Sequence, residues 1–147
     1  MFKYNLFLFK DLPSAWLCGV RVRDLNDIKC IITVKHNWFN SNPFKSLYWA
    51  VQGMASELAT GLAIIDFANK NSLNISMLVV SNESRFLKKA KGKIRFECDE
   101  VSKIKKTLSS LSKNKTTDKI KLKSTGYDES GDIVSEFIYE WSFKLKS

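Results

Sequence analysis

The longest apolar stretch of the chain runs over residues 46–65, Ser-Leu-Tyr-Trp-Ala-Val-Gln-Gly-Met-Ala-Ser-Glu-Leu-Ala-Thr-Gly-Leu-Ala-Ile-Ile, and its only charge is Glu57. A helix that is apolar nearly all round is either buried or spans a membrane, and twenty residues just suffice to cross a bilayer. Gln52, Gly53, Ser56, Glu57, Thr60 and Gly61 crowd its middle, where an unpaired carboxylate is costly in lipid. Strand patterns lie on both sides. The expectation is a central helix, about residues 44–70, wrapped by a sheet and spanning no membrane.

Ahead of it, Phe2, Tyr4, Leu6, Phe7, Phe9 and Leu12 fall near helical spacing and stop at Pro13. This predicts an N-terminal amphipathic helix over 1–13, followed by a single domain over 14–147. Residues 16–25 and 28–36 read as strands, the second with Ile28, Cys30, Ile32 and Val34 on one face. Asn26-Asp27 supplies turn chemistry between them, so the two form a hairpin. The loop 37–45 offers two competing helix starts: Asn42-Pro43 as N-cap and first residue, or Ser46 as a later N-cap. Asparagines 69 and 71 suit a left-handed cap at the far end. Beyond it, residues 75–84 and 92–100 read as strands joined by a basic link. Residues 101–111 read as a lysine-rich surface helix with Val101, Ile104, Leu108 and Leu111 at 3–4 spacing. A loop over 112–118 leads to a strand over 119–127 and a turn at Asp128-Glu-Ser-Gly131. In the last strand Ile133, Phe137, Tyr139, Trp141, Phe143 and Leu145 occupy odd positions and point inward. The order predicts an α+β fold of five or six antiparallel strands curled round one long helix.

Charge adds one feature. The net charge is +9, and residues 84–123 hold 14 Lys/Arg against 4 Asp/Glu. Such a lobe suits an anionic partner, or is a solvated lysine surface. Neither a nucleic-acid motif nor lysines interleaved with exposed aromatics is present, so no nucleic-acid partner is expected. Cys18, Cys30, Cys98 and the single His36 do not make a zinc pattern. Reduced thiols in the cytoplasm, without a metal, are the simplest expectation. The apolar start is too short and interrupted for a signal peptide.

Three stretches carry a family resemblance: Asn42-Pro-Phe-Lys-Ser-Leu-Tyr-Trp-Ala-Val-Gln-Gly-Met-Ala-Ser-Glu57, Phe86-Leu-Lys-Lys-Ala-Lys-Gly92 and Tyr127-Asp-Glu-Ser-Gly-Asp-Ile-Val134. In that order and spacing they resemble the hotdog-fold thioesterase-like domains of the phenylacetyl-CoA-degradation type, in particular a branch known only as a domain of unknown function. The resemblance covers roughly residues 14–146. It implies an acyl-CoA thioesterase in which Asn42 and Glu57 line the site and orient or activate a water, or Glu57 attacks the thioester. It also implies that the helix start, around Ser46 and Trp49, supplies a backbone N–H to the oxyanion. Coenzyme A then enters only as part of the substrate, with no separate cofactor, and the assembly is a homodimer or higher homo-oligomer. Where the family opens its helix with His-Gly-Gly, this chain has Tyr48-Trp49-Ala50. The glycines let backbone and acyl group approach closely, and Trp49 fills that room. A non-catalytic hotdog module, binding an acyl-CoA-like ligand or a partner chain, is therefore the competing expectation.

The residues themselves leave alternatives open. Glu57 is a general base or nucleophile in a partly desolvated pocket, or a structural carboxylate paired with a strand or a partner's lysine. Asn42 and Ser46 orient water or help hold an oxyanion, or merely cap the helix. Arg85, Phe86, Lys88 and Lys89 bind the substrate, the basic three holding coenzyme A phosphates, or they belong to a solvated loop.

Overall fold

In the computed structural model, which describes residues 1–146, the chain runs α1 (Phe2–Asp11), α2 (Pro13–Leu17), β1 (Arg21–Leu25), β2 (Cys30–Lys35), α3 (Trp49–Lys70), β3 (Ile75–Phe86), β4 (Lys93–Cys98), α4 (Val101–Ser109), β5 (Thr117–Tyr127) and β6 (Ile133–Leu145). A 3₁₀ turn, Trp38–Asn40, sits in the loop before α3. The six strands form one sheet in the order β1-β2-β4-β5-β6-β3, antiparallel at every pairing. It curls round α3, which packs on β2, β4, β5 and β6. This is the expected α+β hotdog architecture, with six strands.

α3 carries five alanines and two leucines, strong helix formers, and no proline. Val51, Ala55, Leu58, Ala59, Leu62 and Ala63 are buried against a sheet whose largest enclosed side chains are Phe96, Phe137 and Phe143. Small residues bring helix and sheet close: a Cβ at Gly61 would sit 3.1 Å from the Trp141 ring. Along the contact, a polar ladder locks the helix to β6. Ser135 Oγ donates to Gln52 Oε1 at 2.8 Å, the Ser56 and Tyr139 hydroxyls lie 2.6 Å apart, and Trp141 Nε1–H donates to Thr60 Oγ1 at 3.0 Å. Each polar group buried in this seam has a partner, as burial requires. Shifting the helix along the sheet would break all three links together.

The ends of α3 differ from expectation. Neither Asn42 nor Ser46 caps it; the N-cap is Tyr48, with no side-chain hydrogen bond. The residues before it are held extended by neighbouring backbone. Leu47 N–H donates to Ala90 O at 2.8 Å, Tyr48 N–H donates to Asn40 O at 2.9 Å, and Ser41 bridges Leu47. Helical dihedrals can begin only after Tyr48. At the other end the left-handed residue is Ser72 (φ 53°), not an asparagine. Leu73 N–H returns to Ala68 O at 2.9 Å and Ser72 N–H to Asn69 O at 3.3 Å, the bond pair of a Schellman cap.

Other boundaries shift for local reasons. Trp16 is helical rather than extended, because Pro13 opens the extra turn α2 and Gly19 (φ 84°) redirects the chain before β1. Ile28 lies in the hairpin turn and is exposed. Ile133 is exposed while Val134 is buried, because the register skips a residue there: Gly126 pairs with Ser135 and Tyr127 with Ile133. One extra residue reverses the alternation at that end of β6. β3, expected as a strand over 75–84, is the free edge beside β6, with Leu78 and Val80 exposed.

α1 is tied down at three points. Leu8 is fully buried. The Asn5 side chain accepts from Val22 N–H (2.9 Å) and donates to Val22 O (3.0 Å), occupying the outer edge of β1. The Tyr4 hydroxyl donates to Asp66, which also pairs with Lys70 at 2.8 Å. No helix of the described residues is long and apolar enough to cross a membrane.

Candidate functional site

Glu57 sits halfway along α3, where two clefts meet. One, of about 330 Å³, is lined by Trp49, Gly53, Val79, Asn82 and Tyr139. The other, of about 260 Å³, runs between α1 and the sheet past Phe7, Leu12, Leu62, Met77 and Trp141. Among the described residues nothing donates a hydrogen bond to the Glu57 carboxylate and no cation pairs with it. Burial raises its pKa above the ordinary glutamate value, because low dielectric disfavours the charged form. Tyr139 shares the first cleft. Burial pushes its phenol up, with a further push from the Glu57 charge against a lowering contact from Ser56. It is therefore a neutral hydrogen-bonding group. Gly53 faces open space, since a Cβ there would meet nothing within 4 Å.

A third cavity, about 410 Å³, opens at the start of α3 and is lined by Asn42, Ser46, Trp49, Gln52, Phe86, Lys88 and Lys89. The first-turn N–H groups of Trp49 and Ala50 precede any intrahelical acceptor and have no side-chain cap. An uncapped helix start attracts negative charge. Asn42, one of the expected catalytic residues, is largely occupied by its own loop. Its Oδ1 accepts from Phe44 N–H (2.9 Å) and Ser46 N–H (3.2 Å), and its Nδ2 donates to Ser46 Oγ (3.0 Å). The tight turn this makes puts Lys45 at φ 58°.

Of the expected site residues, Asn42, Ser46, Trp49, Phe86, Lys88 and Lys89 thus converge on one cavity. Glu57 lies in another, and Trp49, its ring edge-on to Tyr48, borders both. Arg85 is exposed on β3 and lines none of these three cavities. Lys88 Nζ is held between Asp128 (2.6 Å) and Asp132 (2.7 Å), which raise its pKa. Lys89 makes no ion pair among the described residues. Two side chains at the site were not singled out from sequence. Gln52, buried, donates to Leu47 O at 3.2 Å and accepts from Ser135. Tyr139 reaches the Gly53 carbonyl at 3.2 Å. An amide in an apolar helix and a phenol on an inward strand position were the available signals. No cluster of three or more metal-binding side chains occurs among the described residues.

No family model matches the chain, and neither does any curated protein. Solved structures do. A Chlorobaculum tepidum protein of unknown function superposes with a TM-score of 0.84 at 14% identity, over 98% of this chain and 93% of that one. A Pseudomonas aeruginosa protein described as a probable thioesterase gives 0.81 at 19% identity, over 99% and 97%. A thioesterase from Staphylococcus aureus, solved as a glutamine-to-alanine mutant, gives 0.69 at 11% identity, over 90% and 98%. At these identities the likeness is one of fold: the chain shares the hotdog fold of thioesterase structures.

Proposed function

We propose that the protein hydrolyses acyl-CoA thioesters, with Glu57 as the general base. The observation that carries this reading is Glu57 itself, the only acid of the helix centre, unpaired, half-buried and facing two apolar clefts. Water attacks the thioester carbonyl carbon while Glu57 takes its proton. The oxyanion of the tetrahedral intermediate is held by the N–H groups of Trp49 and Ala50 at the start of α3. The C–S bond then breaks, the coenzyme A thiolate leaves, and the proton held by Glu57 passes to it. Asn42 and Ser46 shape the loop beside the oxyanion position. Lys89 is the phosphate contact, Phe86 packs on the nucleotide portion, and Lys88 holds the Asp128–Asp132 turn. The reaction needs no metal.

Glu57 and the Asn42 cavity are separated within one chain. A homodimer would bring the Glu57 cleft of one copy towards the helix start of the other. The long free edge of β3, with Leu78 and Val80 exposed, favours such pairing, since an open strand edge is a template for a second copy. Its three free thiols suit the cytoplasm. A non-catalytic acyl-CoA-binding module is the second reading. Trp49 favours it, because an indole stands where glycines admit the acyl group in related sites.

The test is thiol release from a panel of acyl-CoA esters by wild type and Glu57→Gln. The variant keeps shape and hydrogen bonding but loses basicity, so turnover falls by about 100-fold or more. It should also melt higher at neutral pH. A carboxylate whose pKa rises on folding costs stability as pH climbs from the unfolded towards the folded value, and glutamine removes that cost. Wild-type turnover in a folded variant would end the catalytic assignment. Absence of turnover in both proteins would leave the binding module.

A further inference from the structure

Among the described residues, only Trp16 packs on the outward side of α1. Phe2, Leu6 and Phe9 are spaced by four and three residues, so they share one helical face, and they are 83%, 40% and 56% exposed. The helix cannot roll to hide them, because Tyr4, Asn5 and Leu8 fix its other side. With Trp16 they line a shallow cleft of about 290 Å³. The Phe9 and Trp16 rings meet edge to face at 5.6 Å, and Leu17 beside them is 67% exposed.

Cations rim this patch. Lys3 and Lys10 stand beside the apolar residues on α1, the Lys3 ammonium 4.6 Å over the Tyr4 ring, and the Arg21 guanidinium stacks 3.5 Å from the Trp16 ring, its Nη1 donating to the Trp16 and Val20 carbonyls. Asp11 is the only acid in residues 1–23. A short helix with an aromatic and aliphatic face and a lysine and arginine rim is the signature of an element that lies in a lipid interface. Tryptophan belongs at that depth as well. A two-fold contact through the same patch would set Lys3, Lys10 and Arg21 against their own copies, so like charges oppose a second chain there.

We propose that α1 and Trp16 form a docking surface for an anionic lipid bilayer. Phe2, Leu6 and Phe9 enter to headgroup depth, and Lys3, Lys10 and Arg21 meet lipid phosphates. Phe7 of α1 and Leu12 just after it wall the groove that reaches Glu57, so the docked helix forms one wall of that groove. The proposal does not depend on the thioesterase reading.

The test is co-sedimentation with vesicles of phosphatidylcholine alone and of phosphatidylcholine with an equal part of phosphatidylglycerol. Binding to the anionic vesicles is expected to be at least about tenfold tighter, each basic group near the surface contributing about fivefold, and to weaken in high salt. Phe2→Ser/Phe9→Ser removes two exposed rings and the edge contact of Phe9 with Trp16; with a folded circular dichroism spectrum it loses about tenfold or more, and Phe2→Ser alone, which breaks no ring contact, loses a smaller part. Lys3→Gln/Lys10→Gln falls between. Three results would each overturn the proposal: no binding to either vesicle; equal binding by Phe2→Ser/Phe9→Ser, which assigns attachment to lysines elsewhere; or a lower mass for that variant by light scattering without lipid, which assigns the patch to a second copy.

Discussion

Removing the Tyr4 hydroxyl tests how α1 is held. Asp66 is nearly inaccessible, and its carboxylate is held by the Tyr4 hydroxyl and by Lys70. Burial alone would raise the Asp66 pKa, but the hydrogen bonds from Lys70 and Tyr4 outweigh it and the net shift is downward. The Tyr4 phenol is correspondingly pushed up to about 12, by burial and by the carboxylate it serves. Tyr4→Phe keeps the ring packing and deletes one bond to a charged, buried acceptor, worth about 1.5–3 kcal/mol. For a chain of this size the midpoint of melting should drop by about 3–10 °C. The pH dependence follows from the sign of the shift. A carboxylate depressed on folding contributes stability that is fully present above its unfolded value, about 3.9, and is lost as pH falls through the lower folded value. In Tyr4→Phe the cost of burying the charge remains with less to oppose it, so acid destabilisation begins at a higher pH. Melting curves at neutral and acid pH, with hydrogen exchange across residues 2–11, read both effects. In an Asp66→Asn background Tyr4→Phe should cost far less, because the two side chains act as a pair. An equal cost in both backgrounds would refute the coupling.

Charge reversal separates the two lysines of the helix-start cavity. Lys89→Glu should raise KM for acyl-CoA esters about fivefold without loss of stability, whereas Lys88→Glu sets a third carboxylate beside Asp128 and Asp132 and should lower the melting temperature; equal effects of both on KM alone would count against the assignment. Light scattering at micromolar concentration should give a dimer, and Leu78→Glu/Val80→Glu, which places like charges along the free edge of β3, should dissociate it; a wild-type monomer would remove the shared site. Ser72→Gly relieves a left-handed residue and should stabilise by about 1 kcal/mol, or about 2–4 °C in melting; an unchanged midpoint would mean that Ser72 bears no strain.

What was legible in the sequence follows from where the deciding contacts lie. The helix over α3 and the inward faces of β2, β4 and β6 depend on the apolar character of each residue's own neighbours, and periodicity reads that directly. The start of α3 does not. Asn42 and Ser46 have strong cap preference, yet the amide of Asn42 is spent inside its loop, and Leu47 and Tyr48 are drawn extended by Ala90 and Asn40. Long-range hydrogen bonds overrode a local propensity. The bulge that exposes Ile133 is equally silent in the alternation of β6, because it is set by the register against Tyr127. The edge position of β3 is a matter of topology: its run of Ile75, Met77 and Val79 marks a strand and does not say which strands flank it.

The site divides along the same line. Glu57 is visible as the one charge in an apolar helix, but whether a strand or a lysine pairs with it was open in the sequence, since buried charges are usually paired; among the described residues none does. Lys88 reads in sequence as one of a row of similar lysines, yet its carboxylates arrive from 40 and 44 residues away. Basic residues in a run therefore split into one that is neutralised, one that is free and, in Arg85, one that points elsewhere. Trp49 is the residue on which both readings turn. Its backbone N–H belongs to the uncapped helix start, while its side chain borders both cavities and, under the proposed function, would narrow the approach of an acyl group. A backbone that supports catalysis and a side chain that narrows the approach act on different parameters. Trp49→Gly should therefore widen the range of acyl chains accepted while leaving the N–H donors and Glu57 in place, and it separates a narrowed enzyme from a site closed to chemistry.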